Sequence, residues 1–269
     1  MVAGGVSVGR LFLGGIIPGV SLGLTLAVYC YFMAKKHNYP MGSPFNLKNA
    51  VRAIVDAFWG LVTLLIVVVG VVTGIVTATE SAALAVVWSL MVGFFVYKEL
   101  TLIEAWHVLE RALGTLAIVM ILISTSQVFG WLLTYLQMPQ MIADAILGLT
   151  SNKYAIMLIL NLIMLFLGMI MDMSAIILVA TPILLPIAQS AGMDVVHFGV
   201  VMILNLGIGL ITPPVGGTLF VGSAVSGIPI ERLCKTLWHQ LLVMVGVLLV
   251  ITYVPEIVMF LPNLIMPLN

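Results

Sequence analysis

The chain has 269 residues, of which 62% are hydrophobic and only 7% charged, and its 10 basic and 10 acidic side chains leave a formal net charge of zero. A soluble domain carries about 25% charged residues. No water-surrounded core could hide so much apolar surface, so the bilayer is the solvent, and the charge balance excludes the basic field that nucleic-acid binding needs.

Stretches of about 20 apolar residues cross a bilayer as helices. In chain order, crossings read at 10–34, 59–77, 79–97, 113–135 and 236–254. Arg10 precedes the first, which runs too long for a cleavable leader. Segment 45–58 repeats Lys48, Arg52 and Asp56 every four residues opposite Leu47, Val51, Ile54, Val55 and Phe58, the pattern of a helix lying on the membrane surface. Segment 101–111 is similar, with Glu104, His107 and Arg111 on one stripe and a capping box at Thr101 and Glu104. Cys30 and Cys234 have no partner at metal-ligand spacing and are expected to be buried thiols.

Two apolar blocks differ from the rest. Residues 154–191 are interrupted at Asp172, and residues 196–226 at Thr212–Thr218. If the first block returns to its own side and the second crosses once, Lys35, Lys36, Lys48, Arg52, Lys98, Arg111, Arg232 and Lys235 share one face, and only Arg10 and Lys153 lie on the other. That bias places the eight in the cytoplasm and the C-terminus outside. Two full crossings over 154–191 would give the same parity.

Asp172 is the strongest chemical signal. An ionised carboxylate between apolar stretches marks an ion pathway or a buried partner, and Ser174 adds a hydroxyl two residues on. A chain that turns inside the membrane exposes backbone carbonyls, which is tolerated around a cavity or a bound ion. Oxygen ligands with one carboxylate suit Na⁺ or a proton; the bland alternative is an aspartate at an aqueous turn. The second signal runs from Asn205 to Thr218. Pro213 and Pro214 lack donors and disfavour helix before them, and Gly207, Gly209, Gly216 and Gly217 make the backbone easy to distort. A helix from Val196 should break near Thr212 and a new one begin about Gly217, leaving carbonyls and dipole ends as ion ligands. Asn205 and Thr218 are substrate-side candidates by their place beside the break. Thr77 and Glu80 read as a capping box for the third span. Ser124–Gln127 form a polar patch that interhelical hydrogen bonding explains, and His197 and His239 read as structural. No phosphate loop, Cys/His cluster or nucleophile triad points to an enzyme.

These residues resemble the large (DctM-like) membrane subunit of TRAP transporters, the tripartite ATP-independent periplasmic importers. Leu11–Gly19 is similar to that family's Leu-Phe-Leu-Ala-Gly-Ile-Ile-Pro-Gly signature, and Thr77–Ala82 to its Thr-Pro-Thr-Glu-Ala-Ala element. Gly168–Ala175, Thr181–Pro186 and Thr212–Gly216 follow at the family's separations. Ala78 stands for a family proline, Met173-Ser174 for a frequent Ser-Thr, and Gly217-Thr218 for a common Leu-Asn.

The resemblance implies an all-α membrane protein with one re-entrant hairpin (153–192) and one broken helix (196–226), forming the second inverted repeat of an elevator-type fold. On that reading residues 1–9 are a remnant, 10–135 scaffold and arm helices, 136–235 the transport domain, and 236–269 the final transmembrane helix and tail. It implies sodium-coupled import of a small organic anion, such as a C4-dicarboxylate or sialic acid. Asp172, Ser174, Thr212 and Gly216 would bind the ion, with Gly217 beside Asn205 and Thr218 on the substrate side. Na⁺ would be the coupling ion without a further cofactor. The partners would be a small membrane subunit and a periplasmic binding protein, at the bacterial inner membrane. Gly5–Leu11 echoes Gly227–Leu233, which suggests a first repeat upstream and a chain that does not transport alone. The alternatives are half of a binding-protein-independent sodium/carboxylate symporter, a scaffold subunit, and an intramembrane aspartyl protease, for which a second deep aspartate is lacking.

Overall fold

The computed structural model describes residues 7–38, 46–150, 152–214 and 216–267, and every regular element among them is helical. In order these are α1 (Val8–Lys36), α2 (Leu47–Val72), α3 (Ala78–Met91) continued by a π-helical turn (Val92–Tyr97), α4 (Leu102–Tyr135), α5 (Met138–Leu149), α6 (Lys153–Ile170), α7 (Met173–Ser190), α8 (Val195–Gly209), α9 (Gly217–Ser226), α10 (Ile230–Tyr253) and α11 (Pro255–Ile265). Among the described residues, α1, α2, α3 with its π turn, α6, α7 and α10 are long and apolar enough to cross a membrane. The chain is a multi-pass, all-α membrane protein. It divides into two compact units, one running through Phe32 and again from Ile121 onward, the other from Met33 to Met120.

In the Met33–Met120 unit, α2 and α3 form an antiparallel pair. Thr77 Oγ1 accepts the Glu80 amide at 3.3 Å and Glu80 Oε2 accepts the Thr77 amide at 2.7 Å, so the box closes the start of α3. Small residues bring the pair together: the Ser81 hydroxyl donates to the Ile66 carbonyl at 3.0 Å, and a Cβ on Gly70 would come within 3.2 Å of Ser81 Oγ. Farther along, Trp88 Nε1 donates to the Trp59 carbonyl at 3.2 Å and the Tyr97 hydroxyl to the Asp56 carbonyl at 2.8 Å.

The expected surface helices are not separate elements. The expected segment 45–58, of which residues 46–58 are described, continues from Leu47 without a break into the predicted span as α2, and 101–111 forms the first turns of α4. The junctions carry only Gly60 and Gly114, each with open space at its Cβ position. One glycine costs a helix about 1 kcal/mol, too little to end a run of good helix formers. At the start of α4, Glu104 Oε2 accepts the Thr101 hydroxyl at 2.7 Å and its amide at 2.8 Å. Those two bonds hold the Glu104 carboxyl below its usual range. A carboxyl with a depressed folded value stabilises above its unfolded pKa, about 4.3, and loses that contribution as pH falls through the folded value. Amide exchange at Leu102–Ala105, corrected for intrinsic pH dependence, should therefore accelerate on acidification below about pH 4. Glu104→Gln should abolish the step.

In the other unit, α6 packs along α8, and α8 against α10 and α11. Leu160, Met164, Ile187, Phe198, Leu206, Leu248 and Ile251 are fully enclosed there. The start of α1 enters the seam between α8 and α11, where a Cβ on Gly14 would lie 3.2 Å from Val196 and 3.3 Å from Val200 and Val258. Asn152, Asp172 and Asp194 cap α6, α7 and α8 in the same way, each side chain accepting the amide two residues on.

The expected last span and tail are two helices. Pro255 cannot donate to the Ile251 carbonyl, so α10 ends and α11 begins with proline in its first turn. The buried His197 of α8 takes over that carbonyl through Nε2 at 2.9 Å, which fixes the proton on Nε2. His197→Leu should cost about 1–3 kcal/mol by orphaning the carbonyl. His197→Gln, which keeps a donor, should recover part of it in denaturant titrations. At the other end of α11, the buried Arg10 donates through Nη2 to Asn263 Oδ1 at 3.0 Å and through Nη1 to the Met266 carbonyl. The carbonyl end of a helix favours such a cation.

The thiols correct a sequence expectation. Cys30 is exposed and Cys234 half-buried. A membrane segment is apolar on every face, so hydropathy does not tell which face meets protein.

Candidate functional site

The two interruptions meet in space. Asn161 and Gly168 of α6 face Asn205 and Gly209 of α8 in the same chain order, so these helices run parallel toward the tip and the break. Gly168 and Gly209 let the backbones touch: a Cβ on Gly209 would sit 2.7 Å from the Gly168 Cα, and one on Gly168 would sit 3.2 Å from the Gly209 Cα. Beyond the break, the Gly216 amide donates to the Met169 carbonyl at 3.1 Å, tying the start of α9 to the end of α6. α7 begins at Met173, directly after the tip. The carbonyl ends of α6 and α8 and the amide ends of α7 and α9 thus gather at one place.

The break follows from its residues. Thr212 closes α8 with an amide bond to the Gly209 carbonyl at 2.9 Å, and its buried hydroxyl donates to the Ile208 carbonyl at 2.6 Å. Pro213 and Pro214, joined by a cis peptide, bring no amide donors. Gly216 turns the chain at φ +51°, a conformation that a side chain resists. Thr218 then reaches back: its amide and hydroxyl donate to the Leu210 carbonyl at 3.2 and 2.7 Å.

The predicted residues therefore divide. Asp172 and Ser174 are exposed at the tip, and Asp172 Oδ1 accepts the Ser174 amide at 2.8 Å. Thr212 and Gly216 are buried in the break, Gly217 opens α9, and Thr218 stands exposed beside it. Asn205 is enclosed in the core two turns before the proline pair and faces α6. Thr77 and Glu80 belong to the other unit. Val215 and the side chains of Ser126 and Gln127 lie outside the described residues. Among those described, no group of three His, Cys, Asp or Glu side chains is placed to hold a metal. Helix carbonyl ends attract cations and amide ends attract anions, so a junction of both suits a small cation next to an organic anion.

Comparison with known proteins identifies the family. Residues 1–257 match the family described as the tripartite ATP-independent periplasmic transporter, DctM component. The chain belongs to the DctM family. It is 44% identical over 260 residues to the isethionate TRAP transporter permease protein DctMQ of Oleidesulfovibrio alaskensis, covering 96% of this chain and 41% of that protein. It is 38% identical over 257 residues to the C4-dicarboxylate TRAP transporter large permease protein DctM of Pseudomonas aeruginosa, covering 96% and 60%. Against the sialic acid TRAP transporter large permease protein SiaM of Vibrio cholerae the identity is 36% over 263 residues, covering 98% and 62%. The chain thus spans roughly 40–60% of the length of these relatives. DctM proteins are transporter permeases, not enzymes.

Around the break of this DctM-family chain, three features were not legible in the sequence: the Gly168–Gly209 contact, the Met169 carbonyl as partner of Gly216, and the Asn161–Asn205 pairing. A faint signal existed for the last, since Asn161 is the one amide side chain inside an apolar α6. Nothing in the spacing says which glycines touch.

Proposed function

We propose that this chain forms the hairpin and broken-helix part of the large permease of a TRAP transporter in the bacterial inner membrane, with its C-terminus periplasmic. The transporter imports a small organic anion driven by sodium, together with a small membrane subunit and a periplasmic binding protein. The observation that carries the reading is the gathering of four helix ends at Gly168–Ser174 and Gly209–Thr218. Re-entrance of α6 and α7 within the membrane and an elevator-like movement of this region belong to the same proposal. Relatives named for C4-dicarboxylate, sialic acid and isethionate support an anionic substrate, and the DctMQ name supports a small-subunit partner. Those TRAP names also favour this reading over a symporter half that needs no binding protein.

The test is uptake into proteoliposomes by the assembled transporter containing this chain, with binding protein added outside. Uptake should require an inward sodium gradient and the binding protein together. Uptake without binding protein would favour the symporter reading, and uptake indifferent to sodium would sink the coupling.

A further inference from the structure

A line of polar side chains crosses the apolar core around the hairpin. The Thr252 hydroxyl of α10 donates to the Leu248 carbonyl at 2.8 Å and accepts Asn161 Nδ2 at 3.1 Å. Asn161 Nδ2 also donates to the Met157 carbonyl at 3.0 Å. Asn205 Nδ2 donates to both Asn161 Oδ1 at 2.7 Å and the Asn161 backbone carbonyl at 2.9 Å. Thr252 and Asn205 are 0% exposed and Asn161 4%, enclosed with Leu160, Leu206 and Leu248. This is a poor way to stabilise a core. Burying amides costs free energy that their bonds only offset, and Asn205 Oδ1 accepts nothing among the described residues.

What the line supplies is direction. Apolar contacts between parallel helices tolerate a small slip, because dispersion and burial are not directional. The paired bonds from one amide to one residue do not, since hydrogen bonds weaken steeply once stretched or tilted. Asn161 lies seven residues before Gly168 and Asn205 four before Gly209, about 10 and 6 Å along their helices. A slip at the amides is therefore transmitted to the glycine contact and to the Met169–Gly216 bond.

We propose that Asn205 is a positioning residue which, with Asn161 and Thr252, locks the register of α6 on α8 and so sets the spacing between the hairpin tip and the broken helix. The inference rests on the transport reading for its consequence, not for its geometry. Two measurements keep these apart. The first uses spin labels at Ser174→Cys and Gly222→Cys in a Cys30→Ser/Cys234→Ser background of the assembled transporter. The tip-to-α9 distance should be narrow, and should broaden or split in Asn205→Leu; an unchanged distribution overturns the lock whatever the protein transports. The second is uptake. Asn205→Leu should raise the substrate KM about tenfold and lower the melting temperature, because Asn161 Oδ1 is left buried without a donor; Asn161→Leu/Asn205→Leu, which removes both partners, should recover part of that stability at no higher KM, because a register is lost once. A KM equal to wild type, with loss only of folded protein, would make the line a core feature and nothing more. If Asn205→Leu does not fold, Asn161→Leu/Asn205→Leu, which leaves no orphaned amide oxygen, serves in both measurements: a broadened distance supports the lock and an unchanged one overturns it. Sodium-independent uptake by the wild type would remove the coupling proposal and leave the KM comparison standing.

Discussion

Gly209→Val should abolish both folding of the hairpin unit and uptake. A Cβ at this position would lie 2.7 Å from both the Cα and carbonyl carbon of Gly168 and 3.1 Å from its oxygen. These are backbone atoms where the ends of α6 and α8 pack together, so no rotamer change relieves the clash, and the helix ends must separate. Overpacking a core costs about 1–3 kcal/mol when side chains can yield; here they cannot, and the loss should exceed that range. Separation also breaks the Met169–Gly216 bond, which holds the start of α9 at the tip. Gly207→Ala is the control on the same helix. Its Cβ meets nothing within 4 Å, and it should be neutral or stabilising by up to about 1 kcal/mol through helix propensity. Thermal unfolding of the two variants side by side decides it: equal loss would mean that α8 simply resists substitution.

The contrast shows what a membrane sequence makes legible. Gly207 and Gly209 are two residues apart and equally plausible as contacts when read in sequence, because a helix apolar all round gives no inside face. For the same reason Cys30, expected to be buried, is exposed. Interruptions, in contrast, were plain. Asp172 inside an apolar block and Pro213-Pro214 after a run of helix formers break local rules, and the chain turns at both. The Thr77 and Thr101 boxes were legible because they depend on four consecutive residues. What failed depended on partners distant in sequence: His197 serving the carbonyl that Pro255 abandons, Arg10 holding the end of α11, and Asn161 meeting Asn205. The helices α2 and α4 ran longer than expected because amphipathic and membrane stretches share helix-forming residues, and nothing at Gly60 or Gly114 was strong enough to divide them.

Asp172 poses the sharpest question at the site, because it already has an ordinary task. It caps α7 as Asn152 caps α6 and Asp194 caps α8. Asparagine caps a helix about as well as aspartate, whereas alanine loses about 1 kcal/mol. Asp172→Asn therefore removes the charge and keeps the cap, and Asp172→Ala removes both. On the sodium-coupled reading, both variants should lose uptake by about a hundredfold, corresponding to ~2.7 kcal/mol of cation binding. Only the alanine variant should also lose stability. Sodium protection against thermal unfolding should vanish in both, since a bound ion stabilises the fold by mass action. The carboxylate follows the carbonyl end of α6 directly and caps the amide end of α7; a carbonyl end alone attracts a cation weakly, so on the sodium-coupled reading the full charge adds what the carbonyls lack. If Asp172→Asn transports like wild type and only Asp172→Ala is impaired, the residue is a cap, and the cation must be held by the carbonyls of the break.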